Sequence, residues 1–224
     1  MHAPSSRAVE RLPDRAMVHY GEMDARAQRT RDQLESAILD LATLRPLSEI
    51  TVTDIARAAS ITRPTFYAHA ESPGDLLASV LGKELEHIRE EFARAAELLP
   101  DGQVLPLEQL NRALVRHCHD NAALYRNNLV RRLPREMRDV LIDHIEWALS
   151  DHLLRHPHLA PRALHGDPED AEYRYRQFAF YAAIAASGTV AALETWLRSP
   201  DPLDPDWAVR AITRGNAEWW QHGH

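Results

Sequence analysis

The side chains best equipped for chemistry in this chain are its histidines and one short polar run. The chain has thirteen histidines, seven of them between positions 117 and 165. His152 and His156 stand four apart, which puts both imidazoles on one helix face and suits a transition metal. His117 and His119, two apart, point to different sides of a helix. No His-Glu-x-x-His run and no paired cysteines accompany them, so solvated or core histidines account for the set better and no metal is expected. Catalysis finds no support either. There is no strained-turn serine, no glycine-rich phosphate loop, and Glu90-Glu91 reads as a solvated helix face. No cofactor is called for, and the chain does not read as an enzyme.

The polar run is Thr62, Arg63, Pro64, Thr65, Tyr67 and His69, set around the apolar Ile61 and Phe66. On a short helix, Ile61 and Phe66 lock inward and the other six face out. Arg63 can donate to guanine, and the Thr65 methyl can meet a thymine methyl. Tyr67 and His69, at the far end, suit phosphate oxygens.

Such a helix must be held by its neighbours. Leu34, Ile38 and Leu41, with Ala37 and Ala42, form an i, i+4, i+7 stripe on a helix over 30–44, which ends before Pro46. Thr51-Val52-Thr53-Asp54 is a capping box opening a helix over 52–59. Ser60-Ile61 interrupts, and Thr62 caps the next helix, 63–69, with Pro64 in its first turn. Ser72-Pro73-Gly74-Asp75 launches a long helix, 73–99, buried through Leu76, Leu77, Val80, Leu81, Leu85, Ile88 and Phe92. Further helices are expected over 106–119, 121–131, 134–156, 168–198 and 205–220, with a polar loop over 157–167. The fold class is all-α: an N-terminal three-helix helix-turn-helix unit, then a C-terminal body of about six helices.

Composition agrees. Of 224 residues 45% are hydrophobic and 26% charged, with only 8 glycines, as expected of a folded helical chain. The lone cysteine, Cys118, excludes a disulfide framework. No signal segment is evident at the N-terminus, so a cytoplasmic location is expected. The longest apolar stretch, 178–193, falls short of the ~20 residues a bilayer requires. Net charge is −7, but residues 1–70 balance nine acids with nine arginines, so a local phosphate-facing patch is compatible with the total. Residues 1–29 lack an apolar period and read as a mobile arm, either a plain terminus or a strand of chain touching DNA.

The run from Ile50 to His69 closely resembles the DNA-binding signature of TetR-type transcriptional regulators. The resemblance covers about residues 30–80. It implies a homodimer that binds a palindromic double-stranded operator and is released by a small, largely apolar effector, most simply a repressor. It also implies phosphate contacts from the hydroxyls or backbone N–H groups of Thr51 and Thr53. The chain departs from the pattern at Ser60, where the family has glycine, at Ala70, where it has an aromatic, and at Pro73, near where it commonly has a lysine. Arg31 or the N-terminal arm can compensate for that missing cation. These departures keep open a helical sensor or scaffold protein with no operator binding.

The resemblance divides the chain into an arm (1–29), a DNA-binding unit (30–75) and a ligand-binding and dimerisation unit (76–224). Ligand candidates are the aromatic or soft residues Phe92, Cys118, Tyr125, Trp147, Tyr175 and Phe178. On the last two helices Tyr181, Ile184, Gly188, Ala192 and Trp196, with Trp207, Ile212, Trp219 and Trp220, form an apolar face rich in small residues. Two copies of such a face can pack as a four-helix interface.

Overall fold

The computed structural model of the chain describes residues 14–98, 100, 107–160 and 170–216. Among these are nine α-helices and no strand: α1 (Asp14–Leu44), α2 (Val52–Ala58), α3 (Arg63–Tyr67), α4 (Pro73–Glu97), α5 (Leu107–Asp120), α6 (Ala122–Asn128), α7 (Arg135–Arg155), α8 (Ala171–Leu197) and α9 (Pro205–Gly215). Single 3₁₀ turns lie at Leu47–Glu49 and Pro157–Leu159. The first was not anticipated, and the second opens the segment expected to be a loop.

Helix starts follow local hydrogen-bonding chemistry. Thr51 and Asp54 form the reciprocal capping box of α2. Thr62 accepts from the Thr65 N–H at α3, and Ser72 accepts from the Asp75 N–H at α4. Asp170 and Asp204 do the same for α8 and α9. Each of these side chains satisfies a backbone donor that the helix itself leaves open.

Two boundaries need correcting. α1 starts at Asp14, so residues 14–29 are helical rather than an irregular arm; residues 1–13 lie outside the described residues. The missing apolar period misled because an exposed stretch of helix needs none, and residues 25–29 are exposed. α3 ends at Tyr67, two residues short of expectation, so His69 stands in the turn after it. Trp219 and Trp220 lie outside the described residues.

Leu34, Ile38, Ile55, Phe66 and Leu77 form the core of the first three helices and the start of α4. The same apolar cluster runs on without a gap through Leu81, Leu85, Tyr125, Met137, Leu141 and Leu193. α4 is therefore shared, and a boundary at 75/76 falls on its first turn.

Polar bonds reinforce that joint. The buried Asn128 side chain accepts from the Leu47 N–H (2.6 Å) and donates to the carbonyls of Ala42 (3.2 Å) and Leu124 (2.8 Å). Asn127 also donates to the Thr43 carbonyl. The end of α1 is thus tied to the end of α6. Arg126 donates to the Leu197 and Ser199 carbonyls (2.8 and 2.7 Å), completing the C-terminus of α8. By length and composition α8 alone among the described helices is apolar enough to cross a bilayer. In this fold it packs along α7, and its buried Glu194 sits among Arg138 (3.1 Å), Arg132 (3.6 Å) and Arg198 (4.0 Å).

Candidate nucleic-acid interface

The turn between α2 and α3 is built by hydrogen bonds that require one left-handed residue. The Ile61 N–H reaches back to the Ala56 carbonyl (2.9 Å) and the Ser60 N–H to the Arg57 carbonyl (3.2 Å). This is a Schellman closure, which needs a positive φ at the residue after the cap. Ser60 supplies it, with φ 55°. The turn is thus closed by a left-handed residue that is not the family's glycine.

α3 is anchored by one side chain. Phe66 is fully buried, and the ring of Tyr67 meets it edge-on at 5.5 Å. Tyr67 itself is 53% exposed. Thr62, Arg63 and Pro64 are exposed, while Thr65 and His69 are half-buried. The Thr62 and Thr65 hydroxyls lie 2.8 Å apart, so one is already a partner of the other. Ala70 is buried, closing the joint where an aromatic was noted as missing. The outward face of α3 therefore offers one guanidinium, one phenol, a proline ring and threonine methyl and hydroxyl groups.

Thr51 needs correcting as a phosphate donor. Its hydroxyl donates to Asp54 (2.7 Å) and its N–H donates to the same carboxylate (3.0 Å). Both its donors are consumed by the cap. Those bonds also hold the Asp54 carboxyl below its usual range, helped by Arg45 at 3.0 Å. Thr53, exposed on the first turn of α2, keeps its place on that face. Arg31 is exposed on α1 and donates to Gln28 (3.1 Å).

The six ligand candidates are not brought together. Cys118 and Tyr125 are fully buried side by side, and Phe178 is buried elsewhere in the core. Phe92 is half-buried. Trp147, 47% exposed, lies on the surface with the Arg89 guanidinium 3.9 Å above its ring, and Tyr175 is exposed. Those two are surface residues because their helical positions fall outside the stripes that α7 and α8 bury. Around Tyr125 is a chain of polar groups: its hydroxyl lies 2.9 Å from His117 Nε2, and His117 Nδ1 lies 3.4 Å from Glu84. Burial pushes His117 down to about 4 and Cys118 up to about 12, so both are neutral near pH 7.

An enclosed cavity of about 10 Å³ lies between α5, α7 and α8, and none of the six lines it. Its polar lining is Asn111, His144, Thr189 and Asn216, against a wall of leucines. His144 Nε2 is buried without a hydrogen-bond partner. These residues were missed, yet a signal existed. His144 falls on the buried stripe Met137, Leu141, Ala148, a polar residue where the period demands an apolar one.

Ile184 and Trp207 are exposed, as are Gly188 and Ala192, while Tyr181 is half-buried. All of these but Trp207 line an open groove of about 590 Å³ between α8 and α9. Trp196 and Ile212 need correcting. Trp196 is only 3% exposed, with its ring stacked by His119, and Ile212 is buried beneath the groove. Both are spent on the core of their own subunit. His152 is buried and His156 only half-buried, their rings 5.1 Å apart edge to face. Among the described residues no three His, Cys, Asp or Glu side chains are grouped to hold a metal ion.

An all-helical chain whose second and third helices form a capped, tightly turned pair with one exposed face is a helix-turn-helix protein. Its fold is that of the TetR-type regulators. A regulator of that type from Streptococcus agalactiae superposes with a TM-score of 0.59 at 20% identity, over 91% of this chain and 99% of the other. A TetR-family repressor from Thermus thermophilus, FadR, solved in complex with lauroyl-CoA, gives 0.58 at 20% identity over 82% and 91%. The fatty acid degradation regulator FadR from Bacillus halodurans gives 0.57 at 14% identity over 83% and 93%. Among curated proteins, an uncharacterised HTH-type transcriptional regulator of Bacillus subtilis, YxbF, is 37% identical over 68 residues. That match spans 30% of this chain and 18% of the relative's length. No family model matches the sequence.

Proposed function

We propose that the protein is a ligand-responsive transcriptional regulator, acting as a repressor, that binds a palindromic operator as a homodimer in the cytoplasm and leaves it on binding a small, largely apolar effector. The observation that carries this reading is α3: a helix anchored through Phe66 with Thr62, Arg63, Pro64 and Tyr67 exposed on its outer side. The similarity in fold to TetR-type regulators supports it.

Each subunit lays α3 in a major groove, with the two half-sites about one helical turn, roughly 34–36 Å, apart. Arg63 and Thr65 read bases, while Thr53, Tyr67, His69 and Arg31 hold the backbone. Residues 30–75 form the reader, and the remainder from 76 binds effector and partner. The subunits pair through the exposed positions of α8 and α9 around Ile184, Gly188, Ala192 and Trp207.

The effector occupies the core between α5, α7 and α8. His144 Nε2, Asn111 and Thr189 are the polar groups available to a largely apolar molecule there. A cavity of about 10 Å³ holds no more than a water, so effector entry forces α5, α7 and α8 apart. That is the differential affinity a switch requires, because a ligand binding both poses equally shifts nothing. Movement of α7 reaches the reader through the packing of α4 and the Asn128 link to α1.

Selection of bound fragments from genomic DNA tests the reading. A palindrome-like enriched site whose recovery falls when cell-extract metabolites are added is the expected result. No enrichment refutes operator binding and leaves a helical sensor or scaffold.

A further inference from the structure

The reader is poor in the charge that DNA binding demands. Over residues 30–75 the four arginines Arg31, Arg45, Arg57 and Arg63 stand against seven carboxylates, and between 46 and 75 only Arg57 and Arg63 against Glu49, Asp54, Glu71 and Asp75. Affinity for a duplex comes largely from cations that displace phosphate counter-ions, so another surface must supply them.

The densest cationic stretch of the chain lies beside the reader. Residues 126–138 hold five arginines against the single carboxylate of Glu136. They form the end of α6, the turn after it and the first turn of α7. That turn of α7 lies directly on the start of α4: a Cβ added to Gly74 would come within 3.0 Å of Glu136 Cδ. Five residues separate the end of α3 from the start of α4. The turn is also held stiffly. The Leu133 N–H donates to Glu194 (3.0 Å), Arg198 donates to the Arg131 carbonyl (3.1 Å), and Asn128 ties the end of α6 to α1.

The arginines divide by task. Arg126 completes the C-terminus of α8, and Arg132, Arg138 and Arg198 surround the buried Glu194. One carboxylate facing three guanidiniums leaves a local surplus of positive charge. Arg131 and Arg135 stand outside that cage and are exposed. Arg135 is 88% exposed and pairs with Asp139, one turn along, at 3.1 Å, an exchangeable surface pair.

We propose that the turn joining α6 and α7 is a second phosphate-binding surface, in which Arg131 and Arg135 grip the DNA backbone outside the half-site facing α3. The inference rests on the operator-binding reading above. It gives the ligand-binding body a direct hold on DNA, so displacement of α7 by an effector loosens this grip as well as the spacing of the two readers.

The test uses the full chain carrying Arg131→Ala and Arg135→Ala together. Affinity is measured by fluorescence anisotropy from 50 to 200 mM salt on a selected site with long flanks, on the same site trimmed at both ends, and on a random-sequence duplex. If all four arginines of a dimer hold a phosphate, the slope of log affinity against log salt becomes shallower by about 3.6. The salt-induced loss over this range then shrinks by roughly 100-fold. The low-salt loss of affinity should be the same on the random duplex and should vanish on the trimmed site. A slope changed by less than about 1 on the long duplex overturns the inference while leaving operator binding intact. A wild-type chain that binds none of the three duplexes overturns both. Melting temperature serves as the folding control; if the alanine pair lowers it, Arg131→Gln with Arg135→Gln gives the same readout.

Discussion

Ser60 carries the strictest backbone demand in the reader. A side chain at φ 55° pays a steric cost that glycine does not. Ser60→Gly is therefore expected to stabilise the chain by about 1 kcal/mol, raising the melting temperature by roughly 2–4 °C. Sequence preference should not change, because Ser60 lies in the turn and not on α3. A melting curve that moves down would show that the serine hydroxyl earns its place. On the helix itself, the two exposed long side chains should separate by role. Arg63→Ala should weaken the selected site by about 1–3 kcal/mol and random DNA far less, since a guanidinium reading guanine distinguishes bases. Tyr67→Ala should weaken both alike, as expected of a backbone contact. Competition binding with selected and random duplexes distinguishes these outcomes, and identical profiles for the two variants would contradict the roles assigned.

Among the elements, α4 and α6 decide how the reader is held. α4 joins reader to body through a continuous apolar face. Asn128, at the end of α6, supplies the polar half of that joint. Asn128→Ala removes the acceptor of the buried Leu47 N–H and leaves the Ala42 carbonyl without this donor. An orphaned buried group costs about 1–3 kcal/mol, so the melting temperature should fall by roughly 2–10 °C. Amide exchange should quicken selectively at residues 44–50, which the asparagine pins. Uniform acceleration across the chain would mean that Asn128 supports global stability and not this joint.

For the molecule as a whole, pairing and protonation are both open to measurement. Ile184 is exposed at 58% beside the α8–α9 groove. Ile184→Arg places a charge on the proposed interface at no expense to the subunit's own core. Sedimentation velocity should then report monomer for the variant and dimer for the parent, with operator binding lost. A parent that sediments as a monomer would remove the dimer from the account. Acid stability follows from three buried histidines. His117, His144 and His152 are each held down to about 4 chiefly by burial, below the ordinary value of 6.5. Between those values the unfolded chain binds more protons than the folded one, so stability falls as pH drops from about 6.5 toward 4. Above that window the contribution is fully present. Urea unfolding at pH 7 and pH 5 should differ by about 2 kcal/mol for each histidine; equal midpoints would show that these rings are solvated.

The all-helical class and the capped helix starts were legible in the chain alone, and the tight turn at residue 60 in the resemblance of Ile50–His69 to the TetR-type signature. Each rests on interactions among residues within four or five positions of one another: Thr51 with Asp54, Thr62 with Thr65, Ile61 with Ala56. Period and capping chemistry are local, so they are written locally. α1 escaped over residues 14–29 because no apolar period marks it there, and its described side chains at 25–29 are exposed. Trp196, Trp147 and Tyr175 escaped for a different reason. Whether an aromatic ring on a helix faces the core, a partner or solvent depends on which neighbour covers that face, and the neighbours come from distant parts of the chain. The same holds for Glu194 among its arginines, His144 in the wall of its cavity and the α6–α7 turn laid against the start of α4. These juxtapositions join residues from about 30 to 70 positions apart, and only the packed tertiary structure, which sets burial and electrostatic environment together, could decide them.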